Sequence, residues 1–283
     1  MKCMPLACVL SLSLSLASCA RSQHKLVATK SCAQSLLSID GNQIWANREG
    51  SGSVTVVFES GFGNDSSVWS QIEPRVRAAG VQTFVYDRAG MGKSTINTAT
   101  PYSIDNDVNI LRIALTSCGI RGPIVMVAHS YGGAMSLLAA SEDQRFKGLV
   151  LLDALVPRVW TTSELDKNLE AMRAQYDEIR EKAPELAKVA IPWAEALPAT
   201  LKRLDSVPIS DALPIIDIVA ENGQDSPAST QAWREAHTAF AANNPNREYV
   251  LATGSSHKVV ADKPDLVVEA ILKIVEKTRP PGR

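Results

Sequence analysis

The sequence has no block of like charges and almost no net charge, since 29 basic and 30 acidic residues give −1 over 283 residues. This balance gives no reason to expect nucleic acid or an anionic membrane surface as a partner. No internal repeat and no low-complexity segment is visible, and the 45% hydrophobic content is ordinary for a globular protein. Any signal for function must therefore lie in local motifs.

Histidine and cysteine, which often bind metals, are both scarce. The four histidines are not spaced as ligands, and the two cysteines beyond the first twenty residues, Cys32 and Cys118, lie far apart in the sequence. We therefore expect no metal site and no cofactor. A phosphate-binding loop is not expected either, because Gly92-Lys93-Ser94 matches only its end and Asp87 stands where the pattern requires glycine.

Long hydrophobic runs are also missing, apart from an uncharged stretch at residues 4–17. This stretch is too short for a membrane span, which needs about 20 residues, but it suits the apolar part of a signal peptide. Leu16-Ala17-Ser18-Cys19 resembles the lipobox of bacterial lipoproteins, in which the cysteine becomes the lipidated first residue. We predict a signal peptide at 1–18, a tether at 19–34 and a lipid anchor on Cys19, with cleavage after Ala20 as the alternative.

Export would place the mature chain in the bacterial periplasm, held at a membrane by lipidated Cys19, or outside the cell if no anchor is attached. Cys32 and Cys118 would then meet an oxidising environment, in which two thiols can pair. The sequence leaves their pairing open, because Cys32 lies in the predicted tether and cannot be placed near Cys118.

Beyond the tether, short apolar runs alternate with segments whose apolar residues are three or four positions apart. The runs predict strands and the spaced residues predict helices. Because the strands are continuously apolar, the pattern is typical of a parallel sheet covered by helices on both faces. Strands are predicted at residues 54–58, 83–86, 124–128, 148–152, 215–220 and 248–252, a hairpin around 40–42, and helices near 68–76, 104–115, 132–140, 233 and 267–275.

Residues 155–210 interrupt this alternation. Apolar residues from Leu165 to Ile179 repeat at helical spacing, so this segment reads as a helical insertion. We predict a helical cap at 155–210, inserted between two parts of one core formed by residues 35–154 and 211–283. Three prolines are expected to cut its second half into short pieces: Pro184, Pro192 and Pro198.

The strongest local signal lies at residues 127–133 (Val-Ala-His-Ser-Tyr-Gly-Gly), between a predicted strand and a predicted helix. A serine hydroxyl is a weak nucleophile unless it is exposed, oriented and paired with a base. A sharp strand-to-helix turn provides the exposure and requires small residues two before and two after the serine, here Ala128 and Gly132. The motif predicts Ser130 as a nucleophile, with alanine in place of the more common first glycine.

Together with two further motifs, this segment resembles the α/β-hydrolase superfamily over nearly all of residues 35–278. Residues 59–63 (Glu-Ser-Gly-Phe-Gly) resemble its oxyanion loop, and residues 86–94 resemble its strand-to-loop segment before the nucleophile. The resemblance implies an α/β-hydrolase fold, with a mostly parallel central sheet, helices on both faces and a small helical cap. It also implies that the backbone N–H groups of Phe62 and Tyr131 form the oxyanion hole.

His257 is the expected base among the four histidines. His24 lies in the tether, and His129 adjoins the serine on a turn that directs successive side chains apart, so it is expected to be structural. His237 lies in a helical pattern, which indicates a surface or packing residue. His257 follows the last predicted strand and resembles the superfamily's histidine loop, in the chain order serine, acid, histidine.

The acid that would orient His257 has two candidates. The superfamily most often places it after the strand that precedes the histidine strand, which points to Asp225, although the loop there is longer than the common pattern. Asp153 is the other candidate, because some branches of the superfamily carry the acid at the end of the preceding strand. Each aspartate can also be explained as a cap of the following segment, and we prefer Asp153 slightly.

The resemblance implies a serine-dependent hydrolase that forms an acyl-enzyme on Ser130. Its expected small-molecule substrates are carboxylic esters of small to medium apolar acids, while amides, lactones and thioesters fit the same machinery. Members that dehalogenate or open epoxides use aspartate as the nucleophile, so Ser130 argues against those activities. The alternative from a different class is a hydrolase-like binding protein that has lost catalysis, since a fold does not determine a function.

Overall fold

The computed structural model of the chain describes residues 32–242 and 244–279. The predicted signal peptide, the predicted lipidation site Cys19 and most of the predicted tether lie outside these residues. Within the described ranges, no helix is both long and apolar enough to cross a membrane.

Eight strands form a single sheet, and nine α-helices flank it in the part of the chain that the structure describes. The strands are β1 (Ser35–Ile39), β2 (Asn42–Gly50), β3 (Thr55–Glu59), β4 (Gln82–Tyr86), β5 (Ile124–His129), β6 (Phe146–Leu152), β7 (Ile215–Asn222) and β8 (Arg247–Ser256). The helices are α1 (Glu73–Ala78), α2 (Ile104–Ser117), α3 (Gly132–Glu142), α4 (Thr162–Arg173), α5 (Tyr176–Lys182), α6 (Pro184–Asp205), α7 (Pro227–Ala242), α8 (Val259–Asp262) and α9 (Pro264–Thr278).

The spatial order of the strands is β1-β2-β4-β3-β5-β6-β7-β8. Strand β2 pairs antiparallel with both β1 and β4, and the other neighbouring pairs of this sheet are parallel. The hairpin between β1 and β2 forms because Asp40 and Gly41 both take positive φ values, 49° and 80°, as a two-residue turn between twisted strands requires.

Helices cover both faces of the sheet, which explains why its central strands are continuously apolar. Every residue of β3 and β5 is buried. Alternate residues of β5 belong to different apolar clusters, with Met126 on one face and Val125 and Val127 on the other. The prediction of an α/β-hydrolase fold with a mostly parallel sheet and helices on both faces is therefore confirmed.

Three helices, α4, α5 and α6, lie between β6 and β7, within residues 155–210. The prediction that prolines divide this segment into short pieces is wrong in its second half, because α6 runs unbroken over 22 residues with Pro184 in its first turn. Pro192 and Pro198 lie inside α6 but on its exposed side. Packing of its apolar stripe outweighs the hydrogen bonds that these prolines remove. The buried residues of this helix are Ala187, Val189, Ala194, Leu197, Thr200, Leu201 and Leu204.

Cys32 and Cys118 form a disulfide, so the pairing that the sequence left open is present. Cys118 ends α2, and Cys32 lies just before β1, with a Cα–Cα distance of 5.4 Å and a sequence separation of 86 residues. Both cysteines are buried. The bond therefore ties the beginning of the described chain to a helix that packs against the sheet.

Candidate active site

Ser130 lies at the turn between β5 and α3. Its φ of +53° falls in the left-handed region, which residues other than glycine rarely adopt. The turn is held by backbone hydrogen bonds, because the Ser130 N–H donates to the Leu152 carbonyl and the Ser130 carbonyl accepts from Gly133 and Leu155. Such a constrained strand-to-helix turn presents a serine side chain at the carboxyl edge of the sheet.

The turn closes because its flanking residues are small. A Cβ on Gly132 would lie 2.9 Å from the Glu59 carbonyl oxygen and 3.1 Å from that of Ser60, too close for a side chain at this position. Ala128, two residues before the serine, is fully buried in β5. The single methyl group of Ala128 thus fits where the common pattern has glycine.

Three side chains from three loops form a hydrogen-bonded line at this edge. The Ser130 hydroxyl lies 3.0 Å from His257 Nε2, and His257 Nδ1 lies 2.6 Å from Asp153 Oδ2. His257 Nδ1–H donates to the carboxylate, which leaves Nε2 as the acceptor for the serine proton. The His257 side chain is 39% exposed whereas Asp153 is fully buried, so the line runs from solvent into the protein.

Asp153 follows β6 directly and has both carboxylate oxygens occupied. Its Oδ2 accepts from His257, while Oδ1 accepts from the backbone N–H of Ala220 at 3.0 Å and from the Trp233 indole N–H at 2.8 Å. A buried carboxylate is costly unless it is hydrogen-bonded, and these three donors satisfy it.

Asp225, the other candidate acid, is a residue of the loop between β7 and α7. The structure joins Asp153 to His257 instead. Gly223 in the same loop explains how an acid from β6 fits there. A Cβ on Gly223 would lie 2.5 Å from Asp153 Oδ2, so the carboxylate occupies the space that a side chain at position 223 would need.

Phe62 and Tyr131, the predicted oxyanion-hole residues, lie in the loop after β3 and directly after Ser130. Neither backbone N–H has a hydrogen-bond acceptor within residues 32–242 and 244–279. The loop passes close to the serine, since a Cβ on Gly61 would lie 3.2 Å from Ser130 Cβ. Within the described chain, the two N–H groups are therefore unpaired donors in segments that adjoin the serine.

The model of the Alpha/beta hydrolase family matches residues 56–270, which is most of the chain. The chain belongs to the alpha/beta hydrolase family. The prediction of an enzyme of this hydrolase family is thus confirmed at the level of the family.

The chain is also similar to individual proteins. The hydrolase is 26% identical to an uncharacterized protein of Bacillus subtilis, YqjL, over 81% of this chain and 86% of that protein. It is 34% identical to lipase LipV of Mycobacterium tuberculosis over 41% of this chain and 42% of LipV. Among solved structures, an esterase from Exiguobacterium antarcticum shares its fold, with a TM-score of 0.62, 15% identity, and coverage of 86% of this chain and 99% of the esterase.

A buried guanidinium holds the predicted oxyanion loop, residues 59–63, through its backbone carbonyl groups. Arg88 donates to the carbonyl oxygen of Ser60 and, at 2.7 Å, to that of Gly61, and it pairs with the buried carboxylate of Glu59. The C=O and N–H of one peptide group point in opposite directions. Because Arg88 holds the Gly61 carbonyl, the N–H of Phe62 in the same peptide group points away from the guanidinium.

Burial and charge act against each other in this cluster. Burial raises the pKa of Glu59, while the positive charge of Arg88 opposes that rise. Burial acts to lower the pKa of Arg88, but the negative charges around it, that of Glu59 foremost, together with the hydrogen bond to Glu59 raise the pKa above its ordinary value. Arg88 also lies over the Tyr131 ring, 5.5 Å from its centroid. A single cation thus contacts both segments that carry the unpaired N–H groups.

His129 supports the loop that carries His257. Its Nε2 lies 2.9 Å from the His257 carbonyl oxygen, and the two imidazole rings are 4.8 Å apart. Burial lowers the pKa of His129 to about 4, so the ring is neutral at pH 7 and Nε2–H is the donor to the carbonyl. His129 therefore packs against the site without titrating near neutral pH.

Helix α6 reaches the site through Trp193. The Trp193 ring stacks on Phe62, with centroids 3.8 Å apart and planes 13° apart, and it meets Tyr131 edge-on at 5.5 Å. Its indole nitrogen is buried and has no hydrogen-bond partner among the described residues. The segment inserted between β6 and β7 thus places one aromatic ring against both predicted oxyanion-hole residues.

Sequence reasoning misses two groups behind Asp153. The pattern around Trp233 predicts only a helix, yet its indole N–H contacts the carboxylate. His237, expected to be a surface or packing residue, is fully buried, and the missed feature is its pairing with Asp217, whose Oδ2 lies 2.7 Å from His237 Nδ1. The available signal is the spacing, since residues 233 and 237 lie one helical turn apart on the face of α7 that is buried.

Proposed function

We propose that this hydrolase cleaves carboxylic esters of small to medium apolar acids through an acyl-enzyme on Ser130. The observation that carries the proposal is the continuous line from the Ser130 hydroxyl to His257 at 3.0 Å and from His257 to Asp153 at 2.6 Å. The similarity to lipase LipV in part of the sequence, and to an esterase in fold, supports esters as the substrate class. The intact line argues against a binding protein that has lost catalysis.

In the proposed first half-reaction, Ser130 Oγ attacks the ester carbonyl carbon while its proton moves to His257 Nε2. The carbonyl oxygen becomes an oxyanion and accepts from the N–H groups of Phe62 and Tyr131. Asp153 stabilises the imidazolium that forms on His257. The tetrahedral species then collapses, the C–O bond to the alcohol breaks, and the alcohol leaves with the proton from His257 Nε2.

Water completes the cycle in the second half-reaction. It gives a proton to His257 Nε2 as its oxygen attacks the acyl carbon, and the same two N–H groups bind the second oxyanion. The bond between the acyl carbon and Ser130 Oγ then breaks, and the proton returns from His257 to the serine. The free acid leaves and the starting enzyme is restored.

Aromatic side chains around the serine support an apolar acyl group of limited size. The ring of Trp193 stacks on Phe62 of the proposed oxyanion loop, and Tyr131 meets the Trp193 ring edge-on. Apolar walls with a few polar groups are typical of sites for small apolar ligands. Since Trp193 fills the space next to Phe62, a long acyl chain would have to displace it.

The proposal extends to export and to a membrane anchor on Cys19. The Cys32–Cys118 disulfide supports export, because such bonds form and persist in oxidising compartments. The lipobox-like residues that end at Cys19 support the anchor. Mass spectrometry of the mature N-terminus tests it, and an unmodified chain that begins after Ala20 would rule the anchor out.

The test uses p-nitrophenyl esters from acetate to palmitate with the wild type and with Ser130→Ala. We expect the highest kcat/KM for short and medium acyl groups, and a loss of about 10⁴-fold or more in Ser130→Ala at an unchanged melting temperature. Ser130→Ala activity within about tenfold of the wild type would overturn the assigned nucleophile. A higher kcat/KM for matched anilides than for esters would overturn the substrate class.

A further inference from the structure

Trp233 makes the one side-chain hydrogen bond that Asp153 has besides the bond to His257 among the described residues. Its indole N–H donates to Asp153 Oδ1 at 2.8 Å. Trp233 is only 4% exposed and Asp153 is fully buried, so water does not compete for this hydrogen bond. A hydrogen bond to a buried charged group is among the stronger ones in proteins.

The two donors to Oδ1 come from different elements. The Ala220 N–H belongs to β7, which pairs with β6 in the sheet, and it lies 3.0 Å from Oδ1. Trp233 approaches from α7. One donor leaves a carboxylate free to turn about its bond to Cβ, whereas two donors from different elements restrict that rotation. The second oxygen, Oδ2, is then kept toward His257 Nδ1.

The Trp233 ring packs against a buried pair of side chains, His237 and Asp217. His237, one turn later on α7, lies 5.1 Å from it ring to ring and is bonded to Asp217 of β7. Both members of this pair are fully buried, and His237 Nε2 and Asp217 Oδ1 have no hydrogen-bond partner in the described part of the chain. Such a pair costs free energy in a core. The pair links α7 to β7 next to the Trp233 ring. Fixing the position of that ring would offset the free-energy cost.

We propose that Trp233 is a positioning residue that orients Asp153 through its indole N–H, and that the Asp217–His237 pair fixes Trp233 in place. The proposal rests on the proposed function, because it requires Asp153 to serve His257 during catalysis. The indole N–H of Trp233 reaches the serine and the substrate only through the Asp153 carboxylate and His257.

The consequence of losing the indole N–H has a definite sign. Asp153 would keep one donor on Oδ1, so its negative charge would be less stabilised and would attract a proton on His257 more strongly. His257 would then become protonated at a higher pH, and the acid limb of kcat/KM would move upward. The substitution removes none of the other titratable groups around this pair, which are His129, Arg88, Asp217, His237 and Tyr249.

The test is Trp233→Phe, which removes the N–H and keeps an aromatic ring. We expect kcat to fall about tenfold to a hundredfold with KM within about twofold, and the acid limb of kcat/KM to rise by about half a pH unit to one unit. The low-field proton resonance of the His257–Asp153 hydrogen bond should shift as well. Trp45→Phe on β2 is the matched control, with the same chemical change away from the site, and should alter none of these values.

If Trp233→Phe does not fold, benzothienylalanine at position 233 replaces only the N–H by sulfur and carries the same expectations. A folded variant with wild-type kcat, acid limb and resonance would overturn the positioning role, and the proposed function would stand. Full turnover in both Ser130→Ala and Asp153→Asn would instead overturn the proposed function. The inference would also be overturned if kcat fell while the acid limb of kcat/KM and the proton resonance stayed at their wild-type values. Trp233 would then be a packing residue only.

Discussion

At the scale of single residues, two members of the site share a strained backbone. Ser130 and Asp153 have φ values of +53° and +44°, which cost free energy for residues with a side chain. Both lie where a parallel strand ends and the chain must turn sharply, at the ends of β5 and β6. The strain is compensated by the hydrogen bonds around each residue, and it directs both side chains toward His257.

The two candidate acids should behave in opposite ways. In the proposed mechanism Asp153 stabilises the His257 imidazolium and fixes its tautomer, so we expect kcat to fall by about 10⁴-fold in Asp153→Asn. Asp225→Asn changes a loop residue outside the hydrogen-bonded line and should leave kcat within about twofold and the free energy of unfolding within about 1 kcal/mol. Steady-state kinetics on one ester measure both. A large loss in Asp225→Asn with little loss in Asp153→Asn would move the acid to Asp225.

Sequence motifs predict the candidate serine and histidine, whereas the choice of the acid depends on the packing of the folded chain. Ser130 and His257 can be selected from motifs, because a nucleophile turn and a histidine loop have local sequence patterns. The choice between Asp153 and Asp225 has no decisive local signal. It depends on the space just after the end of β7, where Gly223 has no side chain and the Asp153 carboxylate fits. That space exists only in the folded chain.

At the scale of elements, the sheet is predictable and the inserted helices are less so. Parallel strands that are buried on both faces are continuously apolar, so they can be recognised in the sequence. The predicted strands match the observed strands to within a few residues at their ends. The predicted division of α6 is wrong because proline propensity is local, whereas the buried stripe of this helix packs against the rest of the protein. Tertiary packing therefore overrides the local signal.

Helix α6 gives an element-scale prediction through Trp193. Trp193→Ala should open space beside Phe62 and raise kcat/KM for long-chain esters relative to acetate by about tenfold. The indole nitrogen has no partner among the described residues, so its removal leaves no polar group of that part of the chain unpaired. The ester series measures the change, with Trp45→Ala as the control. An unchanged preference along the series would show that α6 does not limit the acyl group.

At the scale of the whole molecule, the disulfide stabilises the fold without touching the site. Closing a loop of 86 residues removes chain entropy from the unfolded state, which corresponds to about 4.6 kcal/mol. We expect Cys32→Ala/Cys118→Ala to melt about 10 °C lower, while kcat at 25 °C stays the same. Thermal unfolding with and without a reductant provides the comparison. Equal melting temperatures for the oxidised wild type and the double variant would contradict this role.

Covalent labelling tests the assignment of Ser130 as the nucleophile without any assumption about the substrate. The protein is treated with a fluorophosphonate, digested, and analysed by mass spectrometry to locate the adduct. We expect one adduct, on the peptide that contains Ser130. It should disappear in Ser130→Ala, form far more slowly in His257→Gln, and persist in Asp225→Asn. An adduct on a different residue, or undiminished labelling of Ser130→Ala, would contradict it.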